Sequence, residues 1–361
     1  TSDAEVNKSG DTMIFMAMAA NPDTTAPTKA NSFKTVLYNG TGASQTITGA
    51  GFKPDLAWIK SRSNGTSHEW HDSVRGEPSR ISSDLTSAAA TSLNGFVSLA
   101  SDGFTVDGTG GGGEVNTSSR TYAAWLWKAL DHDRNLAAIN NDGENDTIVS
   151  VNEEAGFGIV KGSVATSGYT AGLGHGFEVK PEFIIYKPLL SGHHWWAFAD
   201  YGGSLLGTNN LIKFSDVTVA SSDSLFSITD KVFKTGATST AHDFIAYCWR
   251  SVAGYSRIGT YTGASGSKRV YNTSDGTSTG SGGFTPSFII IRNRGVAGAW
   301  MIYDSARSSD PLNKTLMVNY ASAEQTQSSA TINLHSDGFT INGNVGASNS
   351  NGNSYFYMAF K

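Results

Sequence analysis

Charge is what this sequence has least of: Asp, Glu, Lys and Arg together make up 16% of its residues, where a typical soluble domain has about 25%. The surface must therefore be made polar by neutral groups. The 41 glycines and the abundant Ser, Thr and Asn are turn and loop formers, not helix formers, so an all-β chain is predicted. No run of Lys or Arg appears, and the net charge is −5. The basic footprint that DNA and RNA require is missing, so no nucleic-acid partner is expected. No apolar stretch approaches the ~20 residues needed to cross a bilayer as a helix. The densest patch, Met13 to Ala20, is strand-sized, and no membrane insertion is expected. A single cysteine, Cys248, rules out an intrachain disulfide, and its place in the apolar run Phe244 to Trp249 predicts a buried thiol. The chain starts on Thr1 with no signal-type apolar region, which suggests a trimmed or processed chain or a piece of a longer protein.

What is present in abundance is self-similarity. One segment, a Gly-Phe followed by a proline and a β-rich run, occurs three times. It reads Gly51-Phe52-Lys53-Pro54-Asp55-Leu56-Ala57-Trp58-Ile59-Lys60, then Gly176-Phe177 through Pro181-Glu182-Phe183-Ile184-Ile185-Tyr186-Lys187, then Gly283-Phe284-Thr285-Pro286-Ser287-Phe288-Ile289-Ile290-Ile291-Arg292. A second element follows each copy: Ser101-Asp102-Gly103-Phe104-Thr105 and Ser336-Asp337-Gly338-Phe339-Thr340 are identical, and Thr229-Asp230-Lys231-Val232-Phe233 is a degenerate version. Each then leads to an apolar closing strand, at Tyr122 to Lys128, Phe244 to Arg250 and Tyr355 to Lys361. The spacing is domain-sized, far longer than a solenoid repeat.

Three β-sandwich modules of jelly-roll or lectin-like form are predicted, each able to bury its own core. Residues 21–130 form the first, 147–254 a divergent second and 255–361 the third. Residues 1–20 resemble a closing strand, through Val6 to Ala17, and belong either to a preceding module or to one shared within the array. Strands are expected near Lys34 to Tyr38, Leu56 to Lys60, Phe96 to Leu99 and Tyr122 to Lys128. Ser82 to Ser92 could hold a short helix through Ala88-Ala89-Ala90, and the Asp- and Asn-rich stretch Asp131 to Asp146 reads as a linker.

Gly51 to Lys60, His71-Asp72-Ser73-Val74-Arg75-Gly76, Ser101 to Phe104 and Tyr122-Ala123-Ala124-Trp125-Leu126-Trp127-Lys128 together resemble a repeat family of marine and cyanobacterial phage proteins of tail-fibre-like type. The resemblance covers nearly the whole chain. It implies a virion structural or host-recognition role and assigns no binding residues.

Residues that could carry chemistry are few. Asp72, Asp200 and Asp304 read as occupying corresponding places, one per repeat, whereas glycoside cleavage needs a facing pair. Each is expected to cap a turn, with Arg75 and Arg307 as local ion-pair partners. His68 with His71, and His193 with His194, lack a third ligand at metal-binding spacing, and Asn140 to Asp146 lacks the order of a calcium loop. Gly110 to Gly113 precedes no Lys-Ser or Lys-Thr and is read as a hairpin tip. No metal, cofactor or catalytic residue is expected, and no enzyme.

Aromatic residues supply the remaining signal. Trp70 and His71, His193-His194-Trp195-Trp196, and Trp300 with Tyr303 follow the first shared strand in each repeat. Rings there either fill the sandwich cores or stack against sugar faces. Trp195 and Trp196 are adjacent, so one of them is expected to face away from the core. The expected role is a phage virion protein of tail-fibre or receptor-binding type, with loops contacting a host cell-surface glycan or a protein receptor. It would be assembled in the host cytoplasm, carried in the virion alongside other virion proteins, and could form a homotrimer. A capsid decoration or scaffold protein and a polysaccharide depolymerase are the alternatives.

Overall fold

The computed structural model describes residues 32–76, 79–91, 95–108, 115–129, 138–165, 171–199, 211–219, 221, 226–234 and 240–361. Among these residues the chain is all-β, with no helix, and every strand-to-strand ladder is antiparallel. The closing-strand reading of residues 1–20, the glycine run at 110–113 and Asp200 lie outside the described residues. The segment around Ala88 is not helical. Ser79–Arg80 pairs with Ala90–Thr91, and Ile81 bridges Trp70; three alanines cannot offset the cost of helix nucleation where flanking residues are already held by a sheet.

The strands fall into three groupings of the same plan. Each has a main sheet whose four common strands run in the order entry, closing, central, outer. In the first grouping these are Phe33–Asn39, Thr121–Trp127, Leu56–Ser61 and Glu69–Asp72. In the second they are Phe157–Val164, His242–Trp249, Phe183–Pro188 and Trp196–Ala199, and in the third Ser256–Thr262, Ser354–Phe360, Phe288–Asn293 and Trp300–Asp304. The second main sheet is extended beyond its entry strand by Thr147–Asn152 and Ala138–Asn140. The Asp- and Asn-rich stretch read as a linker is therefore, from residue 138 on, a hairpin whose turn Asn140 holds through its side chain to Asp142.

A smaller three-stranded sheet covers the outer face of each main sheet, and it is built around the second shared motif. In the first and third groupings Gly103 and Gly338 pair with Thr48 and Tyr271. The following Phe104 and Phe339 are fully buried. In the degenerate copy Phe233 takes the phenylalanine's place and Val232 that of the glycine, opposite Gly174.

Each central and closing strand is buried on both faces. Successive side chains of a strand point to opposite faces, and here each face meets a different core. Ala57, Ile59, Ala124 and Leu126 pack outward with Phe104 into a core private to the first grouping. Leu56, Trp58, Trp125 and Trp127 point the other way and join Phe183, Tyr247, Trp249, Phe288, Trp300 and Phe356 in one core common to all three groupings. The private cores match what a row of separate modules would have. The common core was not foreseen: it makes the three main sheets the sides of a prism whose interior is filled with aromatic rings.

The repeated Ser-Asp-Gly-Phe-Thr motif has a steric cause. Gly103 and Gly338 sit at φ +148° and +147°. A Cβ on Gly103 would come within 2.0 Å of the Ile47 carbonyl oxygen, and one on Gly338 within 2.1 Å of that of Val270. Both the backbone angle and the space exclude a side chain. Gly103→Ala or Gly338→Ala is expected to lower stability by about 2–4 kcal/mol, read by urea unfolding, whereas Gly266→Ala, where a Cβ meets nothing within 4 Å, leaves it unchanged within about 0.5 kcal/mol.

Candidate functional site

Of the three acids read as equivalent, Asp72 and Asp304 occupy the same position, and Asp200 lies outside the described residues. Opposite Leu56 stands Asp72 and opposite Phe288 stands Asp304, and opposite Phe183 stands Ala199. Ala199 is therefore the residue in register with the other two acids.

Asp72 and Asp304 are fully buried and serve two purposes. Each caps the turn that follows it: Asp72 accepts the backbone N–H groups of Val74 and Arg75 at 3.1 and 2.8 Å, and Asp304 that of Arg307 at 2.9 Å. Each also pairs with the guanidinium three residues on, Arg75 and Arg307 respectively. The remaining capacity of the carboxylate crosses a seam between groupings. The Tyr247 hydroxyl donates to Asp72 at 2.7 Å, and the Trp125 indole N–H donates to Asp304 at 3.0 Å, with Arg307 over the Trp125 ring. At the third seam the corresponding residues are Ala199 and Met358, both in the common core. Donor and acceptor are absent together, so neither is left buried and unpaired.

Two further sets of side chains stitch the seams in the same rotational sense. His68 Nε2 donates to the Met317 carbonyl, 2.9 Å away in the third grouping, and the Trp300 indole N–H donates to the Lys213 carbonyl of the second at 3.1 Å. Near the ends of the central strands lie Lys60, Lys187 and Arg292, all buried. Lys187 donates to the carbonyls of His193 and, across a seam, Thr86, and Arg292 donates across another to those of Val217 and Thr218. Burial lowers Lys187 to about 8 and Arg292 to about 10, since carbonyl dipoles only partly replace water around a cation.

Of the aromatic and histidine candidates, Trp70, His71, Trp195, Trp300 and Tyr303 are buried within the fold. They are core residues, which corrects the picture of rings open to a ligand. His71 stacks on Phe96 with ring centroids 4.0 Å apart and meets Glu69 at 3.2 Å, which in turn pairs with Arg80. Trp70 packs against Trp195 and Tyr247 across a seam. Both faces of the second main sheet are covered, so Trp195 enters the common core and Trp196 leans on the private core of the second grouping.

His193, His194 and Trp196 alone among these candidates remain partly exposed. The Trp196 ring has the Lys213 ammonium 5.6 Å from its centroid, and His194 approaches edge-on at 5.9 Å. Lys213 lies 3.8 Å from Asp216, and His194 Nδ1 meets the Ser215 hydroxyl at 3.2 Å. Burial and the nearby Lys213 keep His194 below the ordinary histidine range, so its ring is neutral near pH 7. An aromatic surface with neutral imidazole, hydroxyl, ammonium and carboxylate groups around it can take a polyhydroxylated ligand. Lys213, Ser215 and Asp216 were not singled out in the sequence, although Lys213 is the cross-strand partner of Trp196; the long connection between the two strands conceals the pairing. Among the described residues, no group of three or more His, Cys, Asp or Glu could hold a metal ion. Cys248 is buried, and burial raises its thiol well above the ordinary range.

The seam bonds predict measurable coupling. In a double-mutant cycle by urea unfolding, Tyr247→Phe and Asp72→Asn are expected to couple by about 1–3 kcal/mol although their positions belong to different groupings, whereas independent groupings would give additivity within about 0.5 kcal/mol. Asp304→Ala, which takes from buried Arg307 the carboxylate at its Nε and leaves it Glu324 alone, is expected to cost about 3–5 kcal/mol.

No curated protein and no solved structure matches the chain. One family model, described as Domain of unknown function (DUF7483), matches residues 28–361. That single match runs through all three repeats, the same stretch that the common core binds together. The chain belongs to the DUF7483 family.

Proposed function

We propose that this protein is a phage virion component of tail-fibre or receptor-binding type, a rigid three-sided scaffold whose loops meet a glycan on the bacterial surface. The observation that carries this reading is the division of the candidate residues. The buried acids, Trp70, Trp195, Trp300 and His68 are committed to holding the three groupings together, while His193, His194 and Trp196 with Lys213 and Asp216 form a polar and aromatic patch at the surface. The resemblance of the repeat motifs to tail-fibre-like phage proteins supports the virion setting. Threefold arrangement, which fibres reach by associating three chains, is here supplied by three repeats of one chain. Among the described residues the patch is found in the second repeat alone, because the counterparts of Trp196 in the other two, Glu69 and Met301, are buried. A single patch gives no avidity within one molecule, so several copies per virion would be needed for tight attachment.

The test is binding of the purified protein to a panel of cyanobacterial and other marine bacterial cells and to glycans extracted from them. Trp196→Ala and Asp216→Asn are each expected to weaken binding about tenfold or more, while near-unchanged thermal unfolding shows the fold intact. Binding to cells but to none of their glycans, or binding indifferent to both substitutions, would contradict the glycan reading. Release of new reducing ends from the extracts would turn it into a depolymerase.

A further inference from the structure

We propose that His68 is an acid-sensitive latch on the seam between the first and third repeats, so that mild acid opens the closed prism at that seam and leaves the other two shut. The geometry makes His68 a two-sided connector. The Trp58 indole N–H donates to its Nδ1 at 2.8 Å, so the neutral ring carries its proton on Nε2, which donates to the Met317 carbonyl at 2.9 Å. The side chain is fully buried. A proton added to Nδ1 would face the Trp58 N–H, and that bond would be lost.

The charged groups around the ring oppose that proton. Lys60 on the central strand and Arg307 of the third repeat are cations, and both act to hold His68 neutral, together with burial, which is the largest influence. The backbone hydrogen bonds to Met317 and Tyr320 act the other way, each more weakly than burial and Lys60 and more strongly than Arg307. The nearby acid, Asp84, accepts the backbone N–H of His68 at 2.9 Å, and burial raises its own carboxyl above the ordinary range. The imidazolium therefore has no good site in the closed seam and a good one in water. Since the folded state holds His68 below its value in the open chain, the closed seam binds fewer protons than the open one. Its stability is then complete above about pH 6.5 and declines as the pH falls below it.

Position 68 is also special by its place in the repeat. The residues the same distance before Asp72, Ala199 and Asp304 are His68, Trp195 and Trp300, and all three are buried at seams. Trp300 makes the corresponding donation to the Lys213 carbonyl. Only His68 titrates. Its seam joins the first repeat to the third, which are not consecutive in the chain, so opening it undoes ring closure while chain connectivity keeps the repeats in a row. Phe33, which packs on Phe288 and Phe360 across this seam, would then be uncovered.

Hydrogen exchange read by mass spectrometry on the full chain, corrected for intrinsic rates, tests this between about pH 7.5 and 5. Protection of peptides covering 66–72 and 314–320 is expected to fall about tenfold before that of 195–199 and 211–214 changes. His68→Gln, whose amide can keep both bonds without titrating, should abolish the selective loss, and Glu324→Gln should retain it, although Glu324 joins Arg62 and Arg307 across the same seam. Equal loss at all seams, earlier loss at another seam, or a His68→Gln variant that opens at the same pH would overturn the proposal. If His68→Gln does not fold, the comparison of seams in the unaltered chain decides the matter.

Discussion

Everything in this molecule depends on the common aromatic core. Trp58, Trp70, Trp125, Trp127, Trp195, Trp249 and Trp300 lie within it, each nearly or wholly removed from water. A large aromatic side chain buries about 150–250 Å², and these rings reach one another across all three seams: Trp127 meets Trp249, Phe183 meets Phe356 and Phe33 meets Phe288. No one repeat could cover its inner face alone. A main sheet with rings on one side and a private core on the other is stable only when two further sheets close over it, so the chain is bound to its threefold arrangement by the hydrophobic effect before any specific bond is made.

The polar seam bonds give this arrangement its direction. Each seam is head-to-tail, with the outer strand of one repeat against the closing strand of the next, and such contacts close into a ring when the rotation is right. Tyr247 to Asp72 and Trp125 to Asp304 repeat the same connection, and at the third seam Ala199 and Met358 replace both members with apolar groups. A buried carboxylate without its donor would have been costly and an alanine with an unpaired donor nearly as much. The paired loss keeps the seam closed while removing the symmetry, leaving three similar but chemically distinct joints.

Much of the fold could be read from residue order alone. The Gly-Phe and proline runs, the Ser-Asp-Gly-Phe-Thr turns and the closing strands mark three all-β repeats, and the strands lie within a residue or two of where they were expected. The common core could not be read, because an apolar run such as Leu56-Ala57-Trp58-Ile59 reveals that both faces are covered but not what covers them. The place that Asp72 and Asp304 share is held in the second grouping by Ala199, opposite Phe183, and residue type alone did not reveal it. The surface patch was half legible. His193, His194 and Trp196 stood out as aromatic and histidine residues, but Lys213 and Asp216 follow a long connection and carry no pattern of their own.

The most direct test is calorimetry of the whole chain beside the third repeat, residues 255–361, made alone. A common core requires one cooperative transition for the chain, with calorimetric and van't Hoff enthalpies equal, and an isolated repeat that exposes Phe288, Trp300 and Phe356 and does not fold as a monomer. Three resolved transitions, or a lone repeat that melts where the whole chain does, would contradict it.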